Sequence, residues 1–277
     1  IGGLAGDALT EGNHNTVLGY GALSNETLGD RNVAVGSNAL YAQNNTSNVD
    51  AYNVAVGYNA GAAVTTGTLN TIIGGLAGDA LTTGVRNVAI GYEALSAEDT
   101  GGNTVAIGYE ALKVQDAGAN TFNVAIGYQT GKAVTTGLNN TLVGAKAGDA
   151  LTTGSRNVAI GLSALSAEDT GGRSVAIGYS ALSTQNKDSN VYNTAVGYAA
   201  GQSVTSGDFN TLIGGLTGDA LTTGNHNIAI GYQALSAEDA GQRSVAIGSF
   251  SLSSQNVDGL NYNVAVGYGA GTAVTTG

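Results

Sequence analysis

Three carboxylate pairs recur in this chain: Glu98-Asp99, Glu168-Asp169 and Glu238-Asp239. Two neighbouring carboxylates are the equipment of glycoside hydrolysis, where one donates a proton and the other attacks or activates water. That chemistry needs the two acids made unequal by one pocket. Here the pairs return with the same neighbours, so they read as a solvated or interchain ion-pair network, and the chain reads as a non-enzyme. Asp7, Asp79, Asp149 and Asp219 fall in a second acidic register that would suit calcium. One Asp in every four turns is sparse for an oxygen cage, and the Gly-rich calcium-binding nonapeptide is missing. No cofactor is expected, and calcium is the one candidate ion.

Tyr recurs in a third register, at Tyr20, Tyr58, Tyr92, Tyr109, Tyr128, Tyr179, Tyr198, Tyr232 and Tyr268. A file of aromatic rings suits either sugar stacking or a chain-chain contact in which the hydroxyl meets water. The second reading is preferred, with Tyr92, Tyr109 and Tyr128 as candidate interchain residues. Arg31, Arg86, Arg156, Arg173 and Arg243 share another register with His14 and His226.

What positions these registers is a repeat. Taking the aliphatic residue before a recurring Gly as an anchor, sixteen anchors run from Ile1, Leu18 and Val35 through Ile90 and Ile107 to Val266, mostly 17 residues apart. Four turns make a larger unit, giving 1–72, 73–142, 143–212 and 213–277 as parts of a single repetitive domain. Self-similarity at a fixed short period is the signature of a solenoid, whose repeats bury their apolar faces by stacking. A period of 17 is too short for two helices, and the segment N-V-A-V/I-G before each anchor alternates β-branched and small residues, as a strand with one buried face does. The expected fold is an all-β parallel solenoid of sixteen turns. Stacked strands lie about 4.8 Å apart, so a four-turn unit should rise about 19 Å.

Several columns have structural meaning. Gly follows every anchor (Gly19, Gly36, Gly57, Gly91, Gly108, Gly127), which marks positive φ or a close backbone. Three residues before the anchor stands Asn (Asn15, Asn32, Asn53, Asn70, Asn87, Asn123), replaced by Thr104, Ser174 and Ser244 in third turns, and it suits a hydrogen-bonded ladder. Five residues after the anchor the chain cycles Gly78, Leu95, Leu112, Gly131, which suggests two thinner and two fatter turns. The Ala just before the anchor is taken to face outward. It becomes bulky only at Ile72, Leu142 and Leu212, which are then candidate knobs between chains.

Composition narrows the function classes. The 277 residues include 45 Gly and no Pro, Cys, Met or Trp, so disulfides, thiolate metal sites and thiol catalysis drop out. A net charge of −11 argues against nucleic acid and anionic lipid as partners. No apolar run is long enough for insertion in a membrane. The chain opens and stops in mid-phrase, as a window from a longer fibre would. Third turns carry insertions, at 41–51 and 113–121 among others, and insertions in a solenoid become loops on one face, often the binding face.

The phrase N/S-V-A-I-G-x-x-A, as in Asn87 to Ala94 and Ser174 to Ala181, resembles the head repeat of trimeric autotransporter adhesins, which also occurs in phage tail-fibre-like proteins. The resemblance spans all the turns, although turns of those heads are typically shorter. It implies a left-handed β-roll, a homotrimeric extracellular fibre on a cell surface or virion, and a host-surface or carbohydrate ligand. Alternative expectations are a phage tail-fibre shaft and an ice- or carbohydrate-binding solenoid.

Overall fold

The computed structural model describes residues 2–276. The chain is all-β among these residues and forms a parallel solenoid with one three-residue strand per turn. It divides into two compact units, Ile1–Asn139 and Asn140–Gly277. The first holds β1 (Thr16–Leu18), β2 (Val33–Val35), β3 (Val54–Val56), β4 (Thr71–Ile73), β5 (Val88–Ile90), β6 (Val105–Ile107) and β7 (Val124–Ile126). The second holds β8 (Thr141–Val143), β9 (Val158–Ile160), β10 (Val175–Ile177), β11 (Thr194–Val196), β12 (Thr211–Ile213), β13 (Ile228–Ile230), β15 (Val245–Ile247) and β17 (Val264–Val266), with the short β14 (Gly241–Gln242) and β16 (Gly259–Leu260) between them. Within each unit every three-residue strand pairs in parallel with the strand one turn later, residue for residue, as Val88 with Val105, Ala89 with Ala106 and Ile90 with Ile107. These are the expected anchor segments. The anchor at Ile1 lies outside the described residues.

Four left-handed positions recur from turn to turn. In the turn after β5 they are Gly91 (φ 131°), Glu93 (φ 53°), Leu95 (φ 54°) and Asn103 (φ 58°). A left-handed non-Gly residue costs about 1–2 kcal/mol. The backbone recovers this by bonding neighbouring turns: the N–H of Glu93 reaches Gly75 O (3.1 Å), that of Leu95 reaches Ala111 O (3.0 Å) and that of Asn103 reaches Val85 O (3.0 Å). Only the first of the four positions demands glycine. A Cβ on Gly74 would stand 2.5 Å from the Gly91 carbonyl oxygen, and one on Gly108 would meet Gly127 O in the same way.

The strands face the opposite way to expectation. Ala34, Ala55, Ala89, Ala106 and Ala125 point inward and are fully buried, while the flanking Val and Ile point outward and keep part of their surface in water. Ile72, Leu142 and Leu212 are therefore not knobs between chains but fully buried core residues. Nor do Gly turns run thin. A Cβ on Gly61 would come 2.8 Å from Ile72 Cδ1, and one on Gly218 would come 2.9 Å from Leu212 Cδ2, so each bulky residue fills the space a Gly leaves. Core volume is conserved across the turns because large and small side chains trade places, as close packing requires.

Candidate functional site

The outward sheet face is built from the two outer residues of each strand. Val88 and Ile90, Val105 and Ile107, Val124 and Ile126 line up on it in the first unit. Ile73 and Ile126 are each 37% exposed, so this is an apolar, β-branched surface in water rather than a core. Beside it, two residues past the anchor, runs the Tyr file. Tyr92, Tyr109 and Tyr128 stack face to face at 5.7 and 5.4 Å between centroids, and Tyr179 stacks on Tyr198 at 5.3 Å. Rings stacked along the solenoid spend their faces on one another and offer outward edges and hydroxyls. That suits a chain-chain contact, and at Tyr109, stacked on both sides, it removes the platform a sugar would need.

The register four before the anchor is left-handed at all its described positions, from His14 to Tyr262. Several of its exposed planar groups pair within the chain. Arg31, Arg173 and Arg243 lie over Tyr52, Tyr192 and Tyr262 at 5.6, 5.4 and 5.6 Å, and Tyr192, Phe209 and His226 stack in sequence at 5.3 and 4.9 Å. Arg31 also pairs with Asp50 of its own chain. Three of the five Arg in this register are thus held against a ring of their own chain.

The carboxylate pairs separate. Glu98, Glu168 and Glu238 are fully buried, as is Glu26, whereas Asp99 and Asp169 remain partly exposed. Each Glu is held by a Gln one turn later, with Gln115 Nε2 donating to Glu98 Oε2 at 3.0 Å and Gln185 Nε2 to Glu168 Oε2 at 2.9 Å. Glu98 Oε1 accepts the Gly101 N–H at 2.7 Å, and Gln115 Oε1 accepts Asn123 Nδ2 at 2.8 Å. Burial pushes the Glu98 and Glu168 carboxyls up, against hydrogen bonds from the Gln and Gly donors. Burial acts on Glu26 too, but hydrogen bonds from Gly29, Gln43 and Asn45 outweigh it and hold that carboxyl below its usual value. A group whose oxygens are all claimed by N–H donors is a structural brace, not a proton donor awaiting substrate. Glu98, Asp99 and Asp116 bring oxygens within 4.8 Å of one another, but both Glu98 oxygens are engaged in this way.

Sequence reasoning missed this brace. The signal lies eight residues past the anchor, where Leu81, Glu98, Gln115 and Val134 run apolar, polar, polar, apolar and all four are buried. In the three later units the same network takes in the third-turn residues that replace Asn. Gln115 Nε2 also reaches Thr104 Oγ1 (3.2 Å), and Gln185 and Gln255 reach Ser174 and Ser244 (3.0 and 2.9 Å), where a short hydroxyl accepts an amide. Elsewhere the Asn ladder bonds backbone: the Asn87 N–H donates to Asn70 Oδ1 (2.9 Å) while Asn70 Nδ2 donates to Gly84 O (2.8 Å). Asn15, Asn53 and Asn123 reach Gly29, Gly67 and Gly137 in the same way, and the Asn32 N–H meets Asn15 Oδ1.

Third-turn insertions are zipped to the preceding turn rather than free. Asp30 bridges to Asp50 and Gly172 to Asn190, while β14 pairs with β16. The first Thr of several turns is also committed, with Thr65 and Thr82 hydroxyls donating to Thr82 and Asp99 carbonyls at 3.2 and 3.1 Å. No helix among the described residues is long and apolar enough to cross a membrane. Compared with protein-family models, curated proteins and solved structures, the chain finds no match.

Proposed function

We propose that this chain is a segment of an extracellular fibre that assembles with copies of itself, as a trimer, through the outward Val/Ile face and the stacked members of its Tyr file, such as Tyr92, Tyr109 and Tyr128, and serves a structural and adhesive role on a cell surface or virion. One observation carries the proposal: the strands bury Ala and turn Val and Ile to water. A side chain such as Ile73 leaves about 60 Å² exposed, which is worth about 1.5 kcal/mol if covered. Repeated on each turn, that is a strong drive to find a partner. The partner must present matching apolar ridges at the spacing of stacked strands, and another copy of this chain does so at every turn. The acidic net charge and the resemblance to adhesin heads support an extracellular setting.

The ice-binding alternative loses support because the Thr hydroxyls that would form an array already bond to the next turn. Cleavage of a polysaccharide loses support because the buried Glu are saturated with donors. Light scattering of the purified chain tests the proposal: a mass near three times 27.2 kDa supports it, and a monomer at all concentrations overturns it.

A further inference from the structure

The corner three residues past the anchor carries a side chain in each turn from Leu4 to Gln129 except one, where the residue is Gly21. The gap opens a cleft of about 390 Å³ lined by Leu4, Tyr20, Asn38, Tyr41, Asn59 and Ala62. Tyr41 flanks the gap: a Cβ on Gly21 would come 3.5 Å from Tyr41 Cδ2 and 2.7 Å from Asn38 Oδ1. Tyr20 and Tyr41 are 60% and 45% exposed, and unlike Tyr92 or Tyr109 neither stacks on another ring among the described residues. Asn38 Nδ2 donates to Asn59 Oδ1 at 3.2 Å. That bond leaves the pair with one open acceptor, Asn38 Oδ1, and an open donor, Asn59 Nδ2. No charged group lines the cleft.

The repeat supplies its own comparison. One unit later the equivalents of Gly21, Asn38, Tyr41, Asn59 and Ala62 are Glu93, Glu110, Lys113, Gln129 and Lys132. There Lys113 Nζ lies 2.5 Å from Glu93 and 2.9 Å from Glu110, Lys132 Nζ lies 2.6 Å from Glu110, and the corner is filled by ions. In the third unit Ser163, Ser180 and Ser183 stand at the first three of these positions. The same backbone therefore forms with quite different side chains, and the fold alone does not require two open tyrosines beside a polarised amide pair.

We propose that this cleft binds a neutral pyranose. The C–H face of the sugar packs on a free tyrosine ring, and two adjacent hydroxyls, each both donor and acceptor, meet Asn38 Oδ1 and Asn59 Nδ2. A concave site that joins aromatic and apolar surface to a few convergent polar groups suits a neutral, hydroxyl-rich ligand, and the absence of charge selects against acidic sugars. The inference deepens the adhesive part of the function proposed above and rests on it.

Saturation-transfer NMR on the full chain tests it, with methyl β-D-glucopyranoside, methyl β-D-galactopyranoside and methyl α-D-mannopyranoside at about 10 mM, since a shallow site binds monosaccharides with millimolar affinity. Tyr41→Ser, Asn38→Ser and Gly21→Gln each introduce a residue type that another turn carries at that position, so the fold is kept. At least one glycoside should show transfer to its ring protons, reduced tenfold or more in all three variants and unchanged in Lys113→Ser at the equivalent corner. Methyl β-D-glucuronide should give less than the neutral sugars. No transfer from any of the three, or undiminished transfer in the variants, overturns the assignment. Light scattering on the same samples reads assembly separately, so a failed ligand and a failed fibre are distinguished.

Discussion

Replacing Glu98 by Ala takes away the centre of a buried brace. The carboxylate accepts the Gly101 N–H at 2.7 Å and Gln115 Nε2 at 3.0 Å. Without it the Gly101 N–H is stranded in a buried site, at a cost of about 1–3 kcal/mol. Gln115 is less affected because its amide still reaches Thr104 and Thr121 hydroxyls at 3.2 and 3.3 Å. Loss of one buried methylene adds about 0.8 kcal/mol. The expected destabilisation is thus about 2–4 kcal/mol in urea unfolding, against almost none for Thr100→Ala, an exposed neighbour. Glu98→Gln is the sharper probe. It keeps an acceptor for Gly101 but places an NH₂ against the Gln115 NH₂, and flipping Gln115 only moves the conflict to Asn123, which donates to Gln115 Oε1 at 2.8 Å. An acceptor is required at both positions, which a carboxyl supplies in either protonation state and an amide nitrogen does not, so Glu98→Gln should also lose stability at neutral pH. Urea midpoints for Glu98→Ala and Thr100→Ala that agree, or a Glu98→Gln chain as stable as the parent, would refute this account of the core.

Gly108→Ala should cost several kcal/mol and Gly118→Ala only about 1 kcal/mol, because both have positive φ but a Cβ meets the Gly127 carbonyl at the first and nothing within 4 Å at the second; denaturant midpoints compare them. Glu110, hydrogen-bonded by Lys132, Gln129 and Lys113, is held down at about 2 from the ordinary 4.5, so it stabilises the fold above pH 4.5 and that contribution fades as pH falls toward 2. The Glu110→Gln chain should therefore show a shallower loss of melting temperature over that interval. Glu98 and Glu168 act with the opposite sign: their raised folded-state values mean that stability declines as pH climbs from the ordinary Glu range through those values, and Glu168→Ala should flatten the decline in a pH series of melts.

The turn length, the Gly column and the Asn ladder were legible because each is forced by stacking: every turn meets the same neighbours, so the same residue returns. Strand orientation was not. In V-A-I both residue sets are apolar, and alternation reports a period of two without saying which set faces in. The width of the core decides it, since turns closed by left-handed residues such as Glu93 and Leu95 leave room for Ala89 but not for Ile90. Ile72 and Leu142 misled for the same reason, because their bulk compensates Gly residues in adjacent turns, a relation invisible along one column. Glu98 was hidden by its neighbour Asp99. A pair of acids looks like a surface feature, and only comparison with Leu81 and Val134 a turn or two away reveals a buried position. The open corner at Gly21 left a faint trace, as the single Gly in a column of side chains in the first unit.

The central claim is that the Val/Ile face, and not the Ala column or its bulky exceptions, holds copies of the chain together. Light scattering on the parent, Ile73→Lys and Ile72→Ala tests it most directly. Ile73 faces water on β4, whereas its neighbour Ile72 is fully buried. The parent should have a mass near three times 27.2 kDa, Ile73→Lys should fall toward the single-chain mass with its fold intact, and Ile72→Ala should keep the assembled mass while losing about 2–5 kcal/mol of stability to a cavity. A monomeric parent, or assembly broken by Ile72→Ala and untouched by Ile73→Lys, would contradict the account.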